Sequence, residues 1–261
     1  MVFADLLVEH RGAVSWLYLN RPDALNAMSA QCMHDFGEAL ATLRDRPDTR
    51  VIVVSGKGRA FCAGADIGAA PSSDATPSPE PTFLDIAEAM EDILNSLPKP
   101  VIAAVNGVCC GGGFEIALMC DFIVSAASAR IGDMHANIGA MPGSGSTARL
   151  PRIVGPNLAR YIMYTGELFP AAYLHSIGLV ARVVDDDRLE AETQTMAEKI
   201  AEKSPLTLKR MKMLISNAFD LPMPLAARME KLVSASHMRS WDAQEGGRAF
   251  MNKRKAQFRG Y

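Results

Sequence analysis

Three features of the sequence predict an α/β fold that ends in a purely helical region. In the N-terminal half, short and continuously apolar runs alternate with stretches of helical spacing. Two glycine-bearing turns, Arg59 to Ile67 and Gly107 to Leu118, follow such runs, and the second leads directly into an apolar helix. From Asp186 to Met251 nearly every segment carries helical spacing.

The elements follow in order. Leu6-Leu7-Val8 and Val14 to Leu19 predict paired strands around the short turn Arg11-Gly12-Ala13. Pro22 breaks the extended run, and Ser29 is placed to cap a helix with Met33, Phe36, Leu40 and Leu43 on one face. Val51 to Val54 is apolar throughout and bounded by polar residues, as a strand buried on both faces should be. Ala69 to Pro81, rich in Pro, Ser and Ala, has no apolar face to bury; it reads as a surface loop, either a plain connector or a substrate-gating lid. A helix over Thr82 to Leu97, a buried strand over Val101 to Val105 and a helix over Gly113 to Met119 come next. Phe122-Ile123-Val124 and Ala129 to Gly132 read as further strands. In the last third Pro205, Pro222 and Pro224 divide the helical stretch into several helices, whose methionines are read as packing residues.

Composition bounds the function. A chain of 261 residues with 49% hydrophobic content can bury a large core and lies near the upper size of a single domain. A net charge of −2 and a pI near 6.2 argue against a general nucleic-acid binder, so an anionic ligand must be met locally. The helix around Asp35 to Asp48 mixes Glu38, Arg44, Asp45 and Arg46 and presents no cationic stripe. Five cysteines, an odd number that includes the adjacent pair Cys109-Cys110, make no disulfide framework and offer no metal-ligand spacing, so no metal is predicted and the compartment is expected to be reducing. Strand-like sequence begins within the first few residues, and no run is long enough to cross a bilayer. A cytoplasmic enzyme is the expectation, with no membrane partner.

The glycine turns carry the chemistry. Gly111-Gly112-Gly113 running into an apolar helix leaves bare N–H groups at the positive end of a helix dipole, with Glu115 in the first turn. That arrangement suits a developing oxyanion, although the glycines could instead serve tight strand-to-helix packing. Neither turn has the G-x-G-x-x-G spacing of a dinucleotide site, and no P-loop spacing occurs.

Through almost its whole length the chain resembles the enoyl-CoA hydratase/isomerase (crotonase) family. The resemblance rests on Leu19 to Pro22 with Ala24 to Ala27, Ala60 to Ile67, Pro100 to Gly107, Gly111 to Glu115 and Cys120-Asp121. It continues through Gly139, Pro142-Gly143, Thr165-Gly166, Gly178 to Val180 and Glu245-Gly246 to Lys253-Arg254. The implied fold is a crotonase-like spiral of ββα units over residues 1–200, followed by a C-terminal helical region, 201–261, that covers the site and builds homotrimers stacking as hexamers. The implied substrate is an acyl-CoA ester, with no cofactor beyond its coenzyme A moiety. Hydration of a 2,3-enoyl-CoA leads the expected reactions, with isomerisation, thioester hydrolysis, decarboxylation or retro-aldol cleavage, and non-catalytic acyl-CoA binding, as alternatives.

Residue by residue, the resemblance implies that the N–H groups of Ala65 and Gly112 receive the thioester oxygen and that Glu115 positions or deprotonates water. Ala63 and Ile67 match positions that contact the adenine end of coenzyme A through their backbones. Asp66 could act electrostatically or brace the turn. Arg21, Lys57, Arg59 and Lys253 are candidate partners for the coenzyme A phosphates or plain surface charges, and Asp23 departs from the basic residue that many relatives have. The largest departure is His135. The family's second catalytic glutamate falls there, within Ile131 to Gly139, without a gap. Histidine could transfer the second proton near neutral pH or merely line the pocket, with Asp133 as a possible substitute.

Overall fold

The computed structural model describes residues 3–66 and 81–261. β1 (Leu6–Arg11) and β2 (Val14–Leu19) form the expected hairpin, and β2 is buried along its whole length. Ser29 caps α1 (Ala30–Asp45) by accepting the Cys32 N–H, and Met33, Phe36, Leu40 and Leu43 are buried as the spacing predicted. Each such side chain is worth about 1.5–3 kcal/mol when fully buried. Lys99 Nζ closes the other end of that helix, donating to the carbonyls of Leu43 and Arg46 at 2.8 and 2.6 Å.

The chain then repeats one unit three times. β3 (Val51–Gly56), β4 (Ala60–Cys62) and α2 (Phe83–Ser96) make the first. β5 (Val101–Val105), β6 (Val108–Cys110) and α3 (Gly112–Met119) make the second; β7 (Phe122–Ala126), β8 (Arg130–Gly132) and α4 (Ser146–Thr165) make the third. The first strand of each unit joins a six-stranded sheet, ordered β1-β2-β3-β5-β7-β10, and the second joins a four-stranded sheet, ordered β4-β6-β8-β9. β9 (Phe169–Pro170), α5 (Ala171–Ser176) and β10 (Arg182–Val184) complete the two sheets. All pairings are parallel except β1 with β2 and β8 with β9. This is the spiral of ββα units that the sequence implied. β3 and β5 are buried throughout, the pattern of central parallel strands covered on both faces.

α6 (Leu189–Ala201) lies over the six-stranded sheet, where Gln194 and Glu190 accept hydrogen bonds from Trp16 and Tyr18 at 2.7 and 3.1 Å. α7 (Pro205–Ala218), α8 (Met223–His237) and α9 (Trp241–Met251) follow. α4, which the sequence reading did not mark, breaks at Gly155, which has φ 79° and is followed by Pro156. The C-terminal tail folds back on α9. Buried Asp242 accepts the N–H groups of Arg259 and Gly260, and Glu245 accepts a two-pronged Arg254 guanidinium at 2.6 and 2.9 Å.

Candidate active site

The spiral brings the two glycine turns together. An isolated parallel bridge between Met28 and Ala65 sets the first: Met28 N–H donates to Gly64 O, and Asp66 N–H to Met28 O. In a parallel bridge the N–H of the residue between those bonds points away, and the Ala65 N–H has no hydrogen-bond partner among the described residues. Gly112 opens α3, so its N–H is also without a partner there. A Cβ built on Gly112 would stand 3.6 Å from Ala65 N, so the two free donors border one small space. Gly64 and Gly111, with φ of 104° and 53°, make the backbone crossing between the turns.

Two asparagines, one of them buried, hold the first turn in place, a role the sequence reading missed. Asn26, 1% exposed, donates to Lys57 O and Ala60 O and accepts the Arg21 N–H. Its φ is 57°, a left-handed value that asparagine tolerates better than most residues, and Leu25 beside it shares that conformation. Asn106 repeats the device from β5, donating to Gly58 O and Ala60 O and accepting Gly56 N–H.

Glu115 stands in the first turn of α3, 3% exposed. Its Oε1 accepts the N–H groups of Ser144 and Ser146 at 2.8 and 3.3 Å, so the carboxylate lies at the start of α4 as well as of its own helix. Arg149 braces that segment, donating to Ser144 O and to Asn95 Oδ1. No sequence signal marked the two serines, because they act through backbone N–H groups. The other oxygen, Oε2, is 3.9 Å from His135 Nε2. The opposite ring nitrogen, Nδ1, is 2.9 Å from Asp133 Oδ1, which also accepts the His135 N–H at 3.0 Å. Asp133, 1% exposed, accepts the Ser146 hydroxyl on its other oxygen at 3.1 Å.

This array is polarised. The hydrogen bond it donates to Asp133 raises the His135 imidazole above its ordinary 6.5 against the opposing effect of burial, and the charges of Asp133 and Glu115 add to it. Burial by itself would raise the Asp133 carboxyl; the bonds from His135 outweigh it and hold the group below its ordinary 3.8. Glu91 of α2 adds a further carboxylate that the sequence did not mark, raised by burial and by the nearby charge of Glu115. Cys62 is no candidate nucleophile, since burial pushes its thiol up to about 12.

The remaining expected residues divide by environment. Asp66 pairs with Arg21 Nη1 at 3.0 Å, and the same guanidinium reaches Ala27 O and Asp5, so Arg21 and Asp66 brace the turn. Lys57 lies 3.4 Å from the centre of the Tyr18 ring and 3.5 Å from Glu9, turned to the β1–β2 hairpin. Arg59 and Lys253 are exposed, with no side-chain partner among the described residues. Ala63 uses its N–H on Leu25 O and receives the Cys110 thiol on its carbonyl. Ile67, and the loop expected over Ala69 to Pro81 up to residue 80, lie outside the described residues. A cavity of about 570 Å³ opens at Asp133 and His135, walled by Met141, Pro142, Ala159 and Met163, with Arg160 at its edge.

A family model described as enoyl-CoA hydratase/isomerase matches residues 9–261. Crotonyl-CoA hydratase of Syntrophomonas wolfei is 33% identical over 259 residues, covering 99% of each chain. The mitochondrial enoyl-CoA hydratase of Pongo abelii is 35% identical, over 98% of this chain and 88% of its own. Among solved structures, enoyl-CoA hydratase from Bacillus anthracis superposes with a TM-score of 0.92 at 32% identity, covering 98% of this chain and 100% of that one.

Proposed function

The chain belongs to the enoyl-CoA hydratase/isomerase family of enzymes, and on that premise we propose that it adds water across the 2,3-double bond of an enoyl-CoA. One observation carries the reading. Two N–H groups without a partner among the described residues, those of Ala65 and Gly112, face one small space, and the helix that begins with Gly112 also carries Glu115 towards His135.

The chemistry follows from that arrangement. The thioester oxygen sits between the two N–H groups, which strengthen their hold as it gains charge; losing one such donor costs about 3 kcal/mol, or a hundredfold and more in rate. Glu115 takes a proton from water, the hydroxyl bonds to C3, and the double-bond electrons move to the thioester oxygen as an enolate. His135 gives its Nε2 proton to C2, and the proton on Glu115 then returns to Nε2, so that one water has been added and both groups are reset. A water within reach of both can bridge their 3.9 Å gap.

Of the four candidate cations, the exposed Arg59 and Lys253 are the ones placed to meet the coenzyme A phosphates, since Arg21 and Lys57 are engaged within the protein. The cavity beside His135 offers room for the acyl group. α7 to α9 serve as the oligomerisation region of a homotrimer or dimer of trimers: Ile215, Phe219, Met223, Leu232, Phe250 and Met251 expose their apolar side chains. Five free, buried cysteines suit a reducing cytoplasm, and among the described residues no helix is long and apolar enough to cross a membrane.

The test is turnover of crotonyl-CoA and a panel of longer thioesters, together with a complex of an acyl-CoA ester. Hydration with the carbonyl oxygen bonded to Ala65 and Gly112 is the expected result. Tight binding without turnover of any thioester would make the protein an acyl-CoA binder instead.

A further inference from the structure

Glu115 and His135 are not two equivalent acids, and the difference lies behind His135. Among the described residues its ring is hydrogen-bonded only at Nδ1, to a carboxylate that is itself pinned twice: by the Ser146 hydroxyl at 3.1 Å and by the His135 backbone N–H at 3.0 Å. Asp133 is 1% exposed and cannot turn to solvent. An ionised carboxylate has only acceptors, so the shared hydrogen must sit on Nδ1. Nε2 is then the nitrogen that gains and loses a proton, and it is the one 3.9 Å from Glu115.

We propose that Asp133 is the positioning residue of the acid: it fixes the His135 ring through Nδ1 so that Nε2 carries the proton delivered to C2 of the substrate. The inference rests on the hydratase reading for its substrate atom, but its geometric content, the pairing of Asp133 with His135, stands apart from that reading. Without Asp133 a neutral imidazole could place its single hydrogen on either nitrogen, and half-turns of the ring would carry Nε2 away from Glu115. With it, deprotonation leaves one tautomer, whose Nε2 lone pair faces the carboxyl that has just taken the proton from water. The groups that border the ring are Asp133 and Glu115 of α3, with Arg160 and Tyr164 of α4 on the shared cavity wall; Glu91 of α2, near Glu115, and Arg149 of α4, bonded to Ser144 O, act on the ring only through those neighbours. The nearest of these, Asp133 and Glu115, are anionic partners that favour the charged ring.

Two measurements on Asp133→Asn test the assignment. The first is the pH profile of kcat and KM with crotonyl-CoA. The second is independent of turnover: the pH dependence of His135 carbethoxylation by diethyl pyrocarbonate, mapped by peptide mass spectrometry. If Asp133 acts through His135, the alkaline limb of kcat and the carbethoxylation midpoint both move to lower pH. A shift of one unit lowers the rate about tenfold above both midpoints, while KM stays within about twofold. In a His135→Gln background the same substitution then adds no further loss. An unmoved limb, an unmoved midpoint and a full additional loss in the His135→Gln background would overturn the proposal and leave Asp133 a strut. Should Asp133→Asn not fold, the wild-type protein decides, because a His135 midpoint at or below 6.5 contradicts an effective carboxylate partner. A protein that hydrates no thioester while its His135 midpoint still depends on Asp133 refutes the hydratase reading and sustains the pairing.

Discussion

Glu115 and His135 supply different groups to the reaction, and removing either should nearly stop it. Glu115→Gln keeps the bonds from Ser144 and Ser146 but removes the base, and His135→Ala removes the acid. Each is expected to lower kcat for crotonyl-CoA by about a hundredfold or more, the usual scale for acid–base groups, in steady-state assays. A Glu115→Gln protein of unchanged activity would refute the assignment. Lys253 is expected to behave differently. It stands exposed just beyond α9 with a φ of 49°, and Lys253→Ala should raise the apparent KM for coenzyme A esters and leave kcat nearly unchanged, as the loss of uniform binding does. A fall in kcat at constant KM would place that side chain in the chemistry.

At the scale of elements, the start of α3 separates packing from catalysis. A Cβ on Gly113 would fall on the carbonyl oxygen of Cys62 and within 2.6 Å of its Cβ, a collision with a buried strand that has no flexible end to give way. Gly113→Ala should therefore destabilise the protein by about 1–3 kcal/mol or more, the cost of overpacking, read from thermal unfolding. One residue earlier the outcome reverses. A Cβ on Gly112 meets nothing closer than 3.6 Å, yet what it meets is Ala65 N, beside the space meant for the thioester oxygen. Gly112→Ala is expected to melt near the wild-type temperature while kcat falls about a hundredfold. Equal losses in both variants would return the triple glycine to simple strand-to-helix packing.

For the molecule as a whole, the same pair links pH to stability. His135 titrates above its ordinary 6.5, so its contribution is fully present below that value and is lost as pH rises through the folded-state value. Asp133 titrates below its ordinary 3.8, so its contribution is present above that value and is lost as pH falls through the folded one. Their joint contribution is therefore largest between those limits, and His135→Ala should lower the melting temperature more at pH 5–6 than at pH 9. A loss independent of pH would show that the ring contributes packing and not charge. The tail adds an acid limb, because the Arg254 guanidinium and the Gln257 N–H bring Glu245 down to about 2, and its contact with α9 is lost as pH falls from about 4.5 towards that value.

The sequence by itself determined the main strands and helices of the N-terminal half and the helical character of the last third, because apolar periodicity, glycine and proline punctuation and local caps are properties of neighbouring residues; its ordered motif blocks carried the family and the spiral order, while β4, β6, α4, β9, α5 and β10 went unmarked. Ser29 as an N-cap, the buried face of α1 and Glu115 in the first turn of α3 were all legible for that reason. The substitution at position 135 was legible too, but its meaning was not. Only the tertiary structure decided that Asp133 stands behind His135, that Ser144 and Ser146 grip Glu115 through main-chain N–H groups, and that Asn26 holds the first turn. It also separated Arg21 and Lys57, engaged with Asp66 and Glu9, from Arg59 and Lys253. A backbone donor leaves no trace in residue identity, and a charge is free or occupied according to what folding places beside it. Residues 21 and 66, or 115 and 135, become neighbours only when the spiral closes.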